Sequence, residues 1–247
     1  MSRPEPRGVD RRRFLFSVFG SFPFFWRPRT VTLCGIPFHV LRLRHSARRY
    51  LLIHGNEETA RQVLMEHMRI YPGIAHLVVG HERNVTVGGG LLDPNRMFSR
   101  MGTEKNLKLL NSGWSDFQVA STLDWLDRGR DALLRALLPS TGGLLVALHN
   151  NSEGYSVQDE VAISDHTSLA DPGDPHAFFL CTQESDYTIL SKSPFNVVLQ
   201  NHAPSEDDGS LSRLATRRGI RYINLEVGLG RFDKQSQMLY WLETNVP

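Results

Sequence analysis

Three short apolar runs, at residues 50–53, 143–148 and 222–225, each give way abruptly to polar residues. Runs of this length are typical of strands that are buried on both faces, as in parallel sheets. Segments with helical periodicity lie between the runs, at residues 57–70 and 116–138. Because alternating strands and helices require crossover connections, the pattern predicts an α/β fold, with a mostly parallel or mixed twisted sheet and helices on both faces.

Glycine and proline mark the predicted turns. Residues 31–43 are expected to form an opening hairpin, because Gly35 and Pro37 separate two β-rich stretches. Residues 88–90 are all glycine and predict a flexible loop, whereas residues 150–176 lack periodicity and predict a long loop that helps to shape a pocket. Further strands are predicted at 74–79, 178–180 and 197–199, and further helices at 211–218 and 237–244.

The length and composition indicate one ordinary globular domain, at residues 30–247. The chain has 247 residues, of which 40% are hydrophobic and 22% are charged, and these values are typical of soluble globular proteins. The net charge of +2, from 28 basic and 26 acidic residues, is too balanced to predict a nucleic-acid-binding surface.

Residues 1–29 differ from the rest of the chain. Arg11-Arg12-Arg13 precede a largely apolar stretch at residues 14–26, a pattern typical of a twin-arginine export signal, which predicts a periplasmic or exported protein. Pro23 interrupts the stretch and no small-x-small cleavage site follows it. A basic, aromatic-rich N-terminal arm on a cytoplasmic protein is therefore the alternative. Membrane contact is expected only through this segment, because no other stretch approaches the roughly 18–20 apolar residues of a membrane span.

The two cysteines, Cys34 and Cys181, lack a C-x-x-C partner and therefore predict no structural zinc site. Both are expected to be buried free thiols. One disulfide between them is the alternative if the protein is exported.

Histidine and glutamate occupy the ends of the three apolar runs. His54 and Glu57 follow the first run, His149 follows the second and Glu226 follows the third. Ligands of open α/β sheets bind outside the carboxyl ends of the strands, so these side chains are expected to converge. An imidazole and a carboxylate three positions apart suit one Zn²⁺ ion that keeps positions open for a third ligand and for water.

Together with these residues, a second motif gives the chain a resemblance to a known family. His54-Gly55-Asn56-Glu57, Arg83, Asp93-Pro94-Asn95-Arg96-Met97-Phe98, His149 and Glu226 follow one another in the order found in the zinc carboxypeptidases. The residues of the first motif and of the Asp93–Phe98 motif are most similar to those of the succinylglutamate desuccinylase and aspartoacylase branch. The resemblance spans residues 50–230 and implies a zinc-carboxypeptidase-like fold for a single catalytic domain.

The resemblance also implies a role for each matched residue. His54, Glu57 and His149 would hold one Zn²⁺ per chain, and Glu226 would be the general base and acid. Arg83, carried over by position, would stabilise the oxyanion, although Arg100 could compete for that role. The substrate's carboxylate would be bound by Asn95 and Arg96. Tyr155 is a further candidate for the pocket wall.

Each residue taken alone has an ordinary explanation. Taken alone, His149 is also explained as an ordinary histidine in the core or at the edge of the sheet. Glu226 fits a salt-bridge partner of Arg221 or Arg231, and Asn95-Arg96 fits a turn capped by the preceding aspartate. Only their combination in order indicates a catalytic site.

The predicted activity is zinc-dependent hydrolysis of an amide in a small peptide or N-acyl amino acid that bears a free carboxylate, as in a metallo-carboxypeptidase or amidohydrolase. Export would favour a cell-wall peptide as substrate, and a cytoplasmic location would favour an acyl-amino acid. The alternative is a catalytically silent protein that binds carboxylates with the same fold. A serine hydrolase is excluded because the chain lacks a G-x-S-x-G motif.

Overall fold

The computed structural model of the protein describes residues 28–152, 154–202 and 204–247. The predicted export signal or N-terminal arm, at residues 1–29, lies outside the described residues except for its last two positions.

Within the described residues, nine strands form one mixed sheet, and a separate hairpin lies beside it. The strands are β1 (Arg29–Leu33), β2 (Ile36–Leu43), β3 (Arg49–Leu52), β4 (Gly73–Val78), β5 (Val85–Val87), β6 (Gly90–Leu92), β7 (Leu145–Asn151), β8 (His166–Leu169), β9 (Phe178–Cys181), β10 (Asn196–Leu199) and β11 (Tyr222–Gly228). The order across the large sheet is β1-β2-β4-β3-β7-β11-β9-β10-β8, and β5 pairs with β6.

The centre of the sheet is parallel and its flanks are antiparallel. Strands β4, β3, β7 and β11 run parallel to one another. Strand β2 is antiparallel to β4 and to β1, as the predicted hairpin requires. On the other side, β9 and β10 are parallel to each other but opposite to β11, and β8 is antiparallel to β10. The predicted α/β class with a mixed sheet is confirmed.

Helices cover both faces of the sheet. They are α1 (Glu58–His67), α2 (Arg100–Leu110), α3 (Asp116–Leu137), α4 (Val157–Val161), α5 (Glu184–Leu190), α6 (Leu211–Arg218) and α7 (Phe232–Asn245), with a short 3-10 helix at Pro94–Arg96. Buried side chains of α2, α3, α4 and α6 form one core with one face of the sheet. Those of α1, α5 and α7 form a second core with the other face. Among the described residues, no helix combines the length and hydrophobicity that crossing a bilayer requires.

Two local predictions need correction, and one helix was missed. Gly88 and Gly89 form the turn of the β5–β6 hairpin and have φ angles of 58° and 84°, whereas Gly90 is the first residue of β6. The two turn glycines therefore satisfy left-handed backbone geometry instead of making a flexible loop. Residues 150–176 contain the end of β7, helix α4 and edge strand β8. Helix α2 was not predicted, although Ser99 caps it by accepting a hydrogen bond from Gly102 N.

A buried polar group, the Tyr50–Glu243 cluster, fastens α7 to the sheet. The Tyr50 hydroxyl donates to Glu243 Oε1 at 2.6 Å, and His67 Nε2 lies 3.5 Å from the same oxygen. Burial raises the pKa of the Glu243 carboxyl. The hydrogen bonds from His67 and Tyr50 and the positive charge of Arg48 outweigh this effect, so the pKa is lowered overall. Cys34 and Cys181 are both buried free thiols, as expected.

Candidate metal centre and pocket

The carboxyl ends of β3, β7 and β11 open into one cavity of about 560 Å³. All eight predicted site residues line it: His54, Glu57, Arg83, Asn95, Arg96, His149, Tyr155 and Glu226. The structure therefore brings together every residue that the sequence singled out for the site.

A tight turn places the first two of these residues. His54 lies two residues after the end of β3, and the chain then turns through Gly55 and Asn56 towards α1. A Cβ atom on Gly55 would lie 2.6 Å from Glu82 O, and Gly55 N donates to that same oxygen at 2.9 Å. Glycine is therefore required at this corner, because the backbone of residues 80–82 packs directly against it.

Three buried side chains converge on one point. His54 Nδ1 lies 2.8 Å from Glu57 Oε1, and His149 Nδ1 lies 3.3 Å from the same oxygen. One ligand atom from each residue lies within 4.8 Å of the others, so the group could hold a metal ion. His54, Glu57 and His149 are 1%, 2% and 4% exposed, which leaves the carboxylate with little water to solvate its charge.

Asp93 completes this arrangement and fits it to a cation. His54 Nε2 lies 2.9 Å from Asp93 Oδ1, so that nitrogen donates and the Nδ1 lone pair of a neutral ring faces Glu57. Two lone pairs at 2.8 Å repel unless a proton or a metal ion lies between them. A carboxylate behind a histidine ligand is the usual way of fixing its tautomer and orientation. Glu57 Oε2 is buried without a hydrogen-bond partner, so a further acceptor remains free.

The charges within the cluster shift its protonation. Burial raises the pKa of the Glu57 carboxyl, but His149 and His54 outweigh this effect and hold that pKa at about 2. Burial lowers the pKa of His149, and the Glu57 carboxylate outweighs it, so the pKa of His149 rises to about 9. Both shifts favour a protonated His149 beside an ionised Glu57, and metal binding would release any such proton because metal ligands bind in their deprotonated forms.

Glu226 lies beside the cluster on the neighbouring strand. In the parallel pair β7–β11 it is opposite His149. Its carboxylate accepts from Asn224 Nδ2 at 3.1 Å and from Asn151 Nδ2 at 3.3 Å. Burial raises the pKa of Glu226, while His149 and the two amides lower it, and the net shift is upward. Such a carboxyl can both take and return a proton.

The salt-bridge explanation for Glu226 does not hold. Arg221 is paired with Asp186, at 2.6 Å from Nη2 to Oδ1. Arg231 is paired with Asp174, at 2.5 Å from Nη1 to Oδ1. Both arginines are thus bound to other carboxylates.

Arg83 borders the metal cluster. Its Nη2 donates to Asp93 Oδ2 at 3.1 Å, and its Nη1 lies 4.0 Å from Glu57 Oε1. The side chain is 48% exposed and lines the cavity. Arg100, the competing residue, pairs with Asp124 and Asp127 on α3 and does not line the cavity.

The Asn95-Arg96 pair has structural as well as pocket-facing contacts. The 3-10 helix is capped by the carboxylate before it, which accepts from Asn95 N at 2.8 Å, so the predicted turn is present. Asn95 Oδ1 accepts from Leu211 N at 3.1 Å and so fixes the start of α6. Arg96 Nη1 lies 3.6 Å from Asp208 Oδ2. Both members of this ion pair are substantially exposed, so the pair is weak and can exchange partners.

Tyr155 belongs to a network on the pocket wall that also includes an arginine not predicted from the sequence. The Tyr155 hydroxyl donates to Glu160 Oε1 at 2.6 Å, and Glu160 Oε2 accepts from Gln200 Nε2 at 2.5 Å. Gln200 Oε1 in turn accepts from Arg213 Nη1 at 3.1 Å. Arg213 lines the cavity and forms no salt bridge with any of the described residues. Helix α6 was predicted, but its pattern did not show which of its arginines faces the pocket.

No protein-family model matches this sequence, and no curated protein matches it significantly. Solved structures with some similarity include a "putative metallopeptidase" from Shewanella denitrificans OS217, with 13% identity over 88% of this chain and 81% of that chain and a TM-score of 0.42. Another "putative metallopeptidase", from Shewanella baltica OS155, has 12% identity over 87% and 84% of the two chains and a TM-score of 0.41.

A third similar structure is the apo form of the ectoine utilization protein EutE (DoeB) from Ruegeria pomeroyi. It has 14% identity over 85% of this chain and 60% of that chain, with a TM-score of 0.41. Similarities this low assign neither a family nor a substrate. The geometry of the pocket therefore carries the functional argument.

Proposed function

We propose that this protein is a zinc-dependent amide hydrolase of the carboxypeptidase or amidohydrolase type. The observation that carries the proposal is the convergence of His54 Nδ1 and His149 Nδ1 on one oxygen of Glu57, with Glu226 on the adjacent strand. Two imidazoles and one carboxylate are the donor set of many catalytic zinc sites, which keep a fourth position open. The order of the motifs along the chain supports the same interpretation.

His54, Glu57 and His149 would hold one zinc ion. The ion, when bound, would lower the pKa of a water molecule and polarise the scissile carbonyl. Glu226 would accept a proton from that water and deliver it to the leaving nitrogen. Asn151 and Asn224 hold both oxygens of Glu226 and so orient the carboxylate for these transfers.

Arginines in the pocket would act on the negative charges of the reaction. Arg83, beside the metal cluster, would donate hydrogen bonds to the oxyanion that forms as the carbonyl becomes tetrahedral. Arg96 would exchange its weak contact with Asp208 for the substrate's carboxylate, with Asn95 beside it. Arg213, which lacks a carboxylate partner among the described residues, adds a third guanidinium to the pocket wall.

These groups favour a small peptide or an N-acyl amino acid with a free carboxylate as the substrate. Export through the twin-arginine-like segment at residues 1–29 would make a cell-wall peptide the natural choice, and a cytoplasmic location would favour an acyl-amino acid. Replacing Arg11 and Arg12 with Lys and fractionating the cells tests this location. Export that is unchanged by the substitutions would contradict the signal.

Metal analysis and hydrolysis assays on one set of variants test the activity. Purified wild type, His149→Ala and Glu226→Gln are loaded with zinc, dialysed and analysed for metal, then assayed on panels of dipeptides and N-acyl amino acids. We expect about one zinc per chain in wild type and in Glu226→Gln, a loss of zinc in His149→Ala, and hydrolysis by wild type alone. A wild type that holds no zinc refutes the proposal. A zinc-loaded wild type that binds carboxylates without hydrolysing any amide supports the silent binding protein instead.

A further inference from the structure

Helix α1, which begins next to the candidate ligand Glu57, is not capped by its own residues. Glu57 occupies the N-cap position and makes no side-chain capping hydrogen bond. Instead, the amide of Asn150 reaches across from β7, and its Oδ1 accepts a hydrogen bond from Ala60 N at 2.8 Å. Asn150 directly follows His149 in the chain, so one side chain connects the segments that carry two of the three candidate ligands.

The same asparagine is held by α7. Asn150 Nδ2 donates to Gln235 Oε1 at 3.0 Å, and Gln235 Nε2 donates to His149 O at 3.0 Å. Gln235 is fully buried, with 0% exposure. The two amides thus form an unbroken chain of hydrogen bonds from the first turn of α1, through Asn150 and Gln235, to the backbone of His149.

These amides lie where the sheet itself no longer supports β7. The pairing of β3 with β7 ends at Leu51 opposite Ala147, so in the described part of the chain His149 and Asn150 have a strand neighbour only on the β11 side. A second tie reinforces α1 at this point, because Thr59 Oγ1 accepts from Gly230 N at 2.8 Å in the turn before α7. Side-chain amides thus replace the missing strand contact next to His149.

We propose that Asn150 and Gln235 are positioning residues that fix the distance between Glu57 and His149 and thereby set the affinity of the site for zinc. The inference rests on the proposed function. Without these hydrogen bonds, α1 can shift relative to β7, and the 3.3 Å approach of Glu57 Oε1 to His149 Nδ1 is no longer imposed before metal binds. Residues that support metal ligands typically change metal affinity by about 10–100-fold when they are mutated.

Competition against a chromophoric zinc chelator measures this effect on the full chain. We expect Asn150→Ala and Gln235→Ala each to bind zinc about tenfold more weakly than wild type. The double variant should be weaker by less than the product of the two single effects, because both residues act through one hydrogen-bonded chain.

Asn196→Ala provides the matched control. Asn196 is also fully buried, and its amide binds the backbone of Asp171, Asp174 and Ala177, but it does not line the pocket. We expect this variant to be destabilised in urea and to keep the zinc affinity of wild type. An equal loss of affinity in Asn196→Ala would show that zinc binding follows overall stability, and would overturn the positioning role.

The outcomes separate the two proposals. A wild type without zinc affinity refutes both of them. A wild type that binds zinc, together with folded Asn150→Ala and Gln235→Ala variants whose affinity lies within twofold of wild type, refutes only the positioning role. If Asn150→Ala does not fold, Gln235→Ala alone carries the test, because it removes the hydrogen bonds to Asn150 and to His149 O and leaves the cap on Ala60 N in place.

Discussion

Replacing Gly102 with alanine should separate helix α2 from the loop before α6, whose residues Asp208 and Ser210 line the pocket. Gly102 lies in α2 and touches the backbone of the loop that leads into α6: a Cβ atom at this position would lie 2.1 Å from Gly209 N and 2.2 Å from Gly209 Cα. The adjoining Phe98 N donates to Gly209 O at 3.0 Å. Because the opposing atoms are backbone, no side-chain rotation can relieve the overlap.

The expected loss of stability follows from that distance. Ordinary contact for a Cβ atom begins at 3.4 Å, so α2 and the loop must move apart by about 1.3 Å. Overpacking of this kind costs about 1–3 kcal/mol. Because the overlap is large and involves backbone atoms, we expect a cost at the upper end of this range, about 3 kcal/mol. Alanine stabilises a helix by about 1 kcal/mol relative to glycine. The net loss of stability in Gly102→Ala should therefore be about 2 kcal/mol. For a chain of this length the melting temperature should fall by about 4–8 °C.

Thermal and urea unfolding measure this loss. Gly113→Ala is the matched control, because a Cβ atom at Gly113 meets nothing within 4 Å and its φ lies outside the left-handed range. We expect the control to stay within about 0.5 kcal/mol of wild type. A Gly102→Ala variant that melts at or above the wild-type temperature would refute the close approach of α2 to the loop.

Three further predictions concern the pocket and the C-terminal helix. Asp93→Asn should weaken zinc binding by about 10–100-fold, because the amide no longer fixes the tautomer of His54, and chelator competition should show this. Arg213→Ala should raise KM for carboxylate substrates more than it lowers kcat in steady-state assays. An unchanged KM would show that the guanidinium does not contact the substrate. Glu243→Gln should cost about 1 kcal/mol in urea unfolding near pH 7, because the amide oxygen can still accept from Tyr50 but the charge that strengthens this hydrogen bond is lost. The folded pKa of Glu243 is lowered, so its contribution is present above the unfolded pKa of about 4.3 and is lost as pH falls through the folded value. A wild-type advantage that grows on acidification would contradict this sign.

Strand ends made the metal cluster predictable from the sequence. Buried apolar runs reveal where strands stop, and the carboxyl ends of neighbouring parallel strands have to meet. His149 and Glu226 were predicted to follow their strands but lie within β7 and β11. This difference is small, because boundaries move by one or two residues while alternation keeps both side chains on the pocket face.

Supporting residues were harder to predict, because their sequence context has an ordinary meaning. Asp93 before Pro94 indicates a turn cap, and it does cap that turn, while its other contacts to His54 and Arg83 depend on tertiary structure. Asn150 gives no local pattern at all, since its partners are 90 and 85 residues away. Strand β8 was missed because a half-exposed polar edge strand lacks apolar alternation.

Because the candidate site depends on the register of β7 and β11, insertions and deletions in these strands should disturb it more than substitutions do. Tyr222, Asn224 and Glu226 face the pocket on alternate positions of β11, while Ile223 and Leu225 face the opposite core. A slip of one residue would exchange these two sets, and a slip of two would carry the carboxylate about 6.6 Å along the strand from His149. Length changes therefore preserve the geometry of the candidate site only in the connecting segments, and a designer who lengthens this protein should add residues there.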